Sequence, residues 1–205
     1  MEIFMIKAII FDMGNVIIHY DPPFFSRRFC SSDEDARELT EKIFYTPEWV
    51  RLDEGTITLE EFDAIIKERV RPELHEEAHN ILYRWHENLP VYAGMEELII
   101  ELKNRGQRLF VCSNAGVQFH EYAPHVPAFR HMEALIISAD LHCNKPSPGI
   151  FQHILNTYDL KAEECIFIDD MEVNAKGADA VGIHGYWYDG NIAHLREYLI
   201  EQKVL

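Results

Sequence analysis

Basic residues are scarce in this chain of 205 residues: 19 Lys and Arg stand against 35 Asp and Glu, a formal net charge of −16. That deficit argues against non-specific binding to nucleic acid or to an anionic membrane surface, since both need a basic face. An anionic small molecule stays open, because a metal ion reverses the local sign. Cysteine is scarce too. Cys30, Cys112, Cys143 and Cys165 are widely spaced and form no Cys-x-x-Cys pair. Neither a disulfide framework nor a zinc knuckle is expected, and reduced thiols in a cytoplasmic chain are the expectation. Long apolar runs are missing as well. The N-terminal stretch up to Ile18 comes nearest, but Glu2, Lys7 and Asp12 interrupt it and no small-residue cleavage site follows. It therefore reads neither as a signal peptide nor as a membrane span of roughly 18 apolar residues. Internal repeats and low-complexity tracts are absent.

What is present is globular: 47% of residues are hydrophobic and 26% charged. The length suits one core domain with room for a small inserted one. Short apolar runs recur at Ile6-Lys7-Ala8-Ile9-Ile10-Phe11, Arg108-Leu109-Phe110-Val111-Cys112, Ala134-Leu135-Ile136-Ile137 and Cys165-Ile166-Phe167-Ile168, with a weaker one at His184-Gly185-Tyr186-Trp187-Tyr188. They are continuous rather than alternating, as in strands covered on both faces. Residues 95–104 carry Leu98, Ile99 and Leu102 on one helical stripe closed by Gly106, and 148–157 open with a proline in the first turn. Strands alternating with helices predict an α/β fold with a Rossmann-like parallel sheet. The interval from Phe11 to Arg108 far exceeds one crossover helix, and it is acidic and helix-periodic over 33–44, 59–70 and 72–87. The expected organisation is a core of residues 1–15 and 93–205, with a helical cap, 16–92, inserted in it.

In an open parallel sheet, ligands bind beyond the carboxyl ends of the strands. The first strand exits into Asp12, the second into Ser113-Asn114 and the fourth into Asp169-Asp170, and a short loop after the third reaches Asn144-Lys145-Pro146. Clustered carboxylates repel one another unless a cation shares them. A hard ion such as Mg2+, held by one or two carboxylates and completed by water and phosphate, suits this set. The lysine and the Ser113 hydroxyl would hold phosphate oxygens that the metal does not reach, and a carboxylate facing phosphorus can act as nucleophile.

These residues carry a resemblance. Phe11-Asp12-Met13-Gly14-Asn15-Val16, Val111-Cys112-Ser113-Asn114, Asn144-Lys145-Pro146-Ser147-Pro148-Gly149-Ile150-Phe151 and the run that begins Ile168-Asp169-Asp170-Met171-Glu172-Val173-Asn174 resemble, in order, the four motifs of the haloacid dehalogenase-like hydrolases. The segment Asp53-Glu54-Gly55-Thr56-Ile57-Thr58-Leu59-Glu60-Glu61-Phe62 looks like that of the helical-cap phosphatases within them, and the Asp-x-Gly-Asn-Val form of the first motif is similar to the α-D-glucose-1-phosphate phosphatase type. The resemblance implies Mg2+-dependent hydrolysis of a small phosphorylated metabolite, with a sugar phosphate as the expected substrate. By it, Asp12 is the nucleophile that forms an aspartyl-phosphate and ligates Mg2+ with the Gly14 carbonyl. Ser113, Asn114 and Asn15 bind phosphate, Lys145 neutralises charge, Asp170 is the main metal ligand, Asp169 ligates directly or through water, and Asn174 orients the lysine. One position departs from the family pattern: the general-acid aspartate expected two residues after the nucleophile is Gly14. General acid–base help is worth about 10²–10⁴ in rate, so His19 or a cap residue is expected to replace it.

Other readings compete. The same fold supports metal-free cleavage of a carbon–halogen bond, and the missing acid also suits a non-catalytic phospho-ligand-binding module. His75-Glu76-Glu77-Ala78-His79 matches the His-Glu-x-x-His zinc-protease pattern. Its third ligand would come from His86, Glu96 or Glu97, and a solvated acidic helix is the competing reading. Arg27 and Arg28 either reach a substrate anion or pair with acidic helices. Phe24, Phe25, Phe29, Phe44, Tyr45 and Trp49 either line a substrate pocket or pack the cap on the core. Oligomeric state is not legible.

Overall fold

Five strands, β1 (Ala8–Phe11), β2 (Arg108–Ser113), β3 (Ala134–Ile137), β4 (Cys165–Asp169) and β5 (His184–Trp187), pair in parallel in the order β3-β2-β1-β4-β5. The computed structural model describes residues 5–205, so residues 1–4 of the expected core segment lie outside the described residues. All four residues of the central strand β1 have 0% exposure. Successive side chains leave a strand on opposite faces, and the burial follows that rule. Ile9, Phe11, Leu109, Val111, Ile166 and Ile168 join one apolar cluster, whereas Ala8, Ile10, Phe110, Cys112 and Phe167 join another on the opposite face. Two covered faces explain why these runs read as continuous apolar segments. At the sheet edge, β5 is only partly buried, and its run is correspondingly weak.

Between β1 and β2 the chain forms α1 (Pro22–Arg27), α2 (Asp33–Ile43), α3 (Pro47–Asp53), α4 (Leu59–Arg69) and α5 (His75–Arg84). The core then supplies α6 (Met95–Asn104), α7 (Phe119–Tyr122), α8 (Ser138–Leu141), α9 (Pro148–Thr157), α10 (Glu172–Asp179) and α11 (Ile192–Glu201). Asp21, Ser32, Thr46 and Thr58 each cap a helix by accepting a hydrogen bond from an amide in its first turn, and Thr58 with Glu61 completes a capping box. Neither α1 nor α3 is long enough to show an apolar period, and both start with a cap residue followed by proline. The single helix expected over 72–87 is instead a 3-10 turn, Pro72–Leu74, followed by α5. The short loop expected between β3 and Lys145 contains the one-turn helix α8.

Leu39, Ile43, Phe62, Ile66, Ile81 and Leu82 of the α1–α5 segment belong to the same cluster as one sheet face. The chain enters and leaves this segment side by side: the Tyr92 N–H donates to the Ile17 carbonyl at 2.9 Å and the His19 N–H to the Pro90 carbonyl at 2.8 Å. Helices α1–α5 thereby share one apolar core with the sheet, and the α3 end reaches the rim where β1, β2 and β4 finish.

Candidate active site

Asp12 leaves β1 with its N–H donating to the Ile168 carbonyl at 2.8 Å, which fixes it between two strand ends. Lys145 Nζ donates to Asp12 Oδ1 and to Asp169 Oδ2, both at 2.7 Å. All three are buried: Asp12 is 7% exposed, Lys145 5% and Asp169 0%. Asn114 holds the lysine from behind, accepting from the Lys145 N–H at 2.7 Å and donating to its carbonyl at 3.1 Å. The Asn114 side chain is thus committed to the Lys145 backbone. Asp169 is fully engaged, receiving Lys145, the Met171 N–H at 2.8 Å and Asn174 Nδ2 at 3.1 Å to each oxygen. Asn174 therefore acts on the carboxylate that grips the lysine. Asn15, in the left-handed region at φ 54°, donates to Asp170 Oδ2 at 3.1 Å and accepts from the Tyr20 N–H at 3.1 Å.

Among the described residues, Asp12, Asp169 and Asp170 form the one group of acidic, His or Cys side chains poised to share a metal ion, with one oxygen from each within 4.8 Å of the others. Burial first, and the Asp169 charge second, push the Asp12 carboxyl up to about 6 against the pull of Lys145. Burial also raises Asp170, opposed by the Asn15 hydrogen bond and reinforced by repulsion from Asp169. Burial works against the Lys145 charge, but the Asp12 and Asp169 carboxylates outweigh it and raise that group. One ammonium, paired with two of three neighbouring carboxylates, leaves negative charge in a desolvated place, which is the electrostatic signature of a cation site. The donor set is all oxygen, as Mg2+ requires. Asp12 and Asp170 each accept only one side-chain hydrogen bond, so they retain acceptor capacity, whereas Asp169 has little.

A pocket of about 530 Å³ opens over this rim. Its lining includes Asp12, Gly14, Asn15, Ser113, Lys145 and Asp170 together with an aromatic group, Phe44, Tyr45 and Trp49 from the α1–α5 segment, Trp85 just after α5 and Tyr122 from α7. The nearest atoms that a Cβ added at Gly14 would meet are Tyr20 Cβ at 3.5 Å, Tyr20 Cγ at 3.9 Å and Asp12 Oδ2 at 4.0 Å, all ordinary contacts. Crowding at the Cβ is therefore not what makes this position glycine.

The family model described as haloacid dehalogenase-like hydrolase matches residues 6–182. The chain belongs to the haloacid dehalogenase-like hydrolases. It is 29% identical over 106 residues to a sesquiterpene phosphatase of Aspergillus oryzae, covering 51% of this chain and 54% of that protein. It is 26% identical over 121 residues to a phosphoserine phosphatase of Thermus thermophilus, covering 58% and 48%. With the acyl-CoA dehydrogenase family member 10 of mouse it shares 28% over 144 residues, only 13% of that protein. The matches thus span about half or less of these relatives' lengths. In structure the chain is similar to a haloacid dehalogenase family enzyme of Bacteroides thetaiotaomicron in complex with magnesium and inorganic phosphate. That match has a TM-score of 0.74 and 22% identity over 93% of this chain and 98% of that one. A haloacid dehalogenase-like hydrolase of Porphyromonas gingivalis gives a TM-score of 0.72 and 23% identity over 95% and 98%. At these identities the structural likeness shows the fold.

Several expected residues of this hydrolase fall elsewhere. His19 is exposed, its ring tilted against Tyr92 at 3.5 Å between centroids, in a cleft that shares Asn15 and Tyr20 with this pocket but not Asp12. The pairing of 17–19 with 90–92 holds it there, outside the residues that line the Asp12 pocket. The zinc pattern also fails. His75 Nε2 lies against the Val70 carbonyl at 3.4 Å and His79 Nδ1 against Asp63 at 3.3 Å. Of the proposed third ligands, His86 faces Glu121 at 3.8 Å and Glu96 faces Arg130 and His131; neither they nor Glu97 join a metal-competent group. Arg27 pairs with Asp33, and Arg28 donates to the Trp85 carbonyl at 3.2 Å. Of the aromatic cluster, Phe44, Tyr45 and Trp49 line the pocket. Phe25 is buried against Trp85 at 5.3 Å, Phe24 is exposed, and Phe29 lies under Arg28 and Arg84.

Residue-by-residue reading of the strand ends misses Asp53. It closes α3, lines the same pocket as Asp12, and burial holds its carboxyl well above the usual range, opposed by a Gly116 N–H and reinforced by the Asp12 charge. Core side chains grip the α3 end by its carbonyls: Asn144 donates to Val50 at 3.2 Å, Ser138 to Asp53, and His142 to Glu54 at 3.1 Å. Gly55, at φ +69°, passes so close that a Cβ would sit 2.6 Å from the Ala139 carbonyl. The signal was in the Asp53-Glu54-Gly55 run, where glycine marks the close approach.

Proposed function

We propose that this hydrolase is a Mg2+-dependent phosphatase that cleaves a small phosphate monoester through an aspartyl-phosphate on Asp12. The observation that carries the reading is the convergence of Asp12, Asp169 and Asp170 within 4.8 Å, with Lys145 bridging two of them at 2.7 Å. Asp12, Asp170 and the Gly14 carbonyl would hold the ion, and Asp169, already saturated by Lys145, Met171 and Asn174, serves to orient the lysine. The bound ion would supply charge neutralisation at the phosphoryl oxygens. Asp12 attacks phosphorus in line with the leaving oxygen. Lys145 keeps the attacking carboxylate ionised and, with the Ser113 hydroxyl and the Asn114 backbone, balances charge on the phosphoryl group. Asn15 aligns Asp170 rather than reaching phosphate with its side chain. Helices α1–α5 act as a cap that closes the pocket against bulk water. The Mg2+ and phosphate bound to the Bacteroides enzyme and the activities printed for the fungal and Thermus relatives support this reading.

For the substrate, aromatic walls fit the flat faces of a sugar ring, which makes a sugar phosphate the first candidate. A second reading rests on the same walls: Phe44, Trp49 and Trp85 offer an apolar chain equally good cover. The four thiols are all free, in keeping with the reducing cytoplasm proposed for the chain. Phosphate release from hexose phosphates and from prenyl and aryl phosphates, with Mg2+ and with chelator, tests both points. Chelator-sensitive release that Asp12→Asn abolishes is expected. Chelator-insensitive release of halide from haloacids would turn the assignment to dehalogenation, and phosphate-ester binding without any turnover would turn it to a binding module.

A further inference from the structure

Breaking a phosphate monoester on a carboxylate nucleophile leaves an alkoxide, and an alkoxide departs slowly unless a proton meets it. No acidic side chain stands at Gly14 to give one, and His19 lies outside the pocket. We propose that Asp53, brought into the pocket of Asp12 by the end of α3, protonates the leaving oxygen and then takes the proton of the attacking water. This rests on the phosphatase reading of the same site.

Three observations converge on it. Asp53 and Asp12 line one pocket, Asp53 from the end of α3 and Asp12 from the end of β1. The position is fixed by the core: Ser138 and His142 hold the Asp53 and Glu54 carbonyls, and Gly55 lies against Ala139. Burial before anything else also raises this carboxyl well above its ordinary value, which favours its protonated form. The titratable groups that face it are Asp12 from the end of β1, Tyr20 from the following turn and Tyr122 from α7. Burial, before anything else, holds both phenols well above their ordinary value of 10.0, which makes them weaker proton donors. The balance is complete. As the Asp12–phosphorus bond forms and the phosphorus–oxygen bond to the leaving group breaks, the Asp53 proton passes to that oxygen and Asp53 becomes a carboxylate. Water then attacks phosphorus, gives its proton to Asp53, and Asp12 departs as a carboxylate.

The test is single-turnover release of the leaving group by wild type and Asp53→Asn, with an alkyl phosphate and with p-nitrophenyl phosphate, whose phenolate departs without a proton. The expected result is a loss of about 10²–10⁴ for alcohol release, with a far smaller loss for nitrophenolate. Nitrophenolate release by the same variant also shows that it is folded. Equal losses on the two substrates, or no loss on the alkyl ester, overturn the Asp53 assignment while leaving the phosphatase reading standing. Failure of wild type to release either leaving group overturns both.

Discussion

Replacing Lys145 with methionine removes a charge while keeping most of the aliphatic stem, whose end lies over the Phe167 ring with Nζ 5.2 Å from the centroid. Its two partners then sit in the protein interior at 7% and 0% exposure with no cation opposite them. Removing one member of a buried ion pair costs about 3–5 kcal/mol. For a domain of this size each kcal/mol moves the melting temperature by about 2–4 °C, so a drop of roughly 6–20 °C is expected in metal-free protein at pH 7.5. The cost depends on pH in a defined direction. Asp12 in the folded wild type already sits at about 6, above its ordinary value of 3.8, and Lys145 is the strongest influence holding it down. Without the lysine the folded-state value rises further. A carboxyl raised on folding favours the native state below its unfolded value and loses that contribution as pH rises through the folded value. The Lys145→Met deficit should therefore shrink as pH falls from 7.5 to 5. Thermal unfolding of both proteins in chelator at the two pH values is the assay. A melting temperature within about 2 °C of wild type at pH 7.5, or a deficit that grows on acidification, refutes the reasoning.

Two further outcomes are expected. Asp170→Ala should weaken Mg2+ binding, read by calorimetry without substrate, by about tenfold or more, whereas an unchanged affinity removes Asp170 from the metal site. His19→Ala should leave the pH–rate profile as it is in wild type, because the ring is tilted against Tyr92 outside the pocket; a lost limb would return His19 to the chemistry.

The sheet is legible in the sequence because β1, β2 and β4 are buried on both faces, and only an uninterrupted apolar run satisfies two faces at once. The strand exits follow from it, which is why Asp12, Ser113, Lys145, Asp169 and Asp170 can be named before any coordinates. Boundaries slip by a residue: Ser113 and Asp169 still belong to their strands. Helices α1 and α3 are too short for periodicity to register, and only their Asp21-Pro22 and Thr46-Pro47 starts announce them. Asp53 escapes for a different reason. Its approach to Asp12 depends on three core side chains, Ser138, His142 and Asn144, gripping carbonyls of a distant helix end. Backbone acceptors carry no residue signature, so of this docking only Gly55, which marks the close approach to Ala139, shows in the sequence. His19 is close to Asp12 along the chain, yet with 17–19 paired to 90–92 it lies outside the residues that line the Asp12 pocket.

The central claim is that the first of the converging carboxylates attacks phosphorus. It is tested most directly by acid-quenching the protein during turnover of a phosphate ester with Mg2+, digesting it, and locating any added phosphoryl group by mass spectrometry. The account predicts one phosphoryl group on the peptide that contains Asp12, absent in Asp12→Asn and removed by hydroxylamine, as an acyl-phosphate is. Turnover at full rate by Asp12→Asn, or a phosphoryl group carried on any other residue, would contradict it.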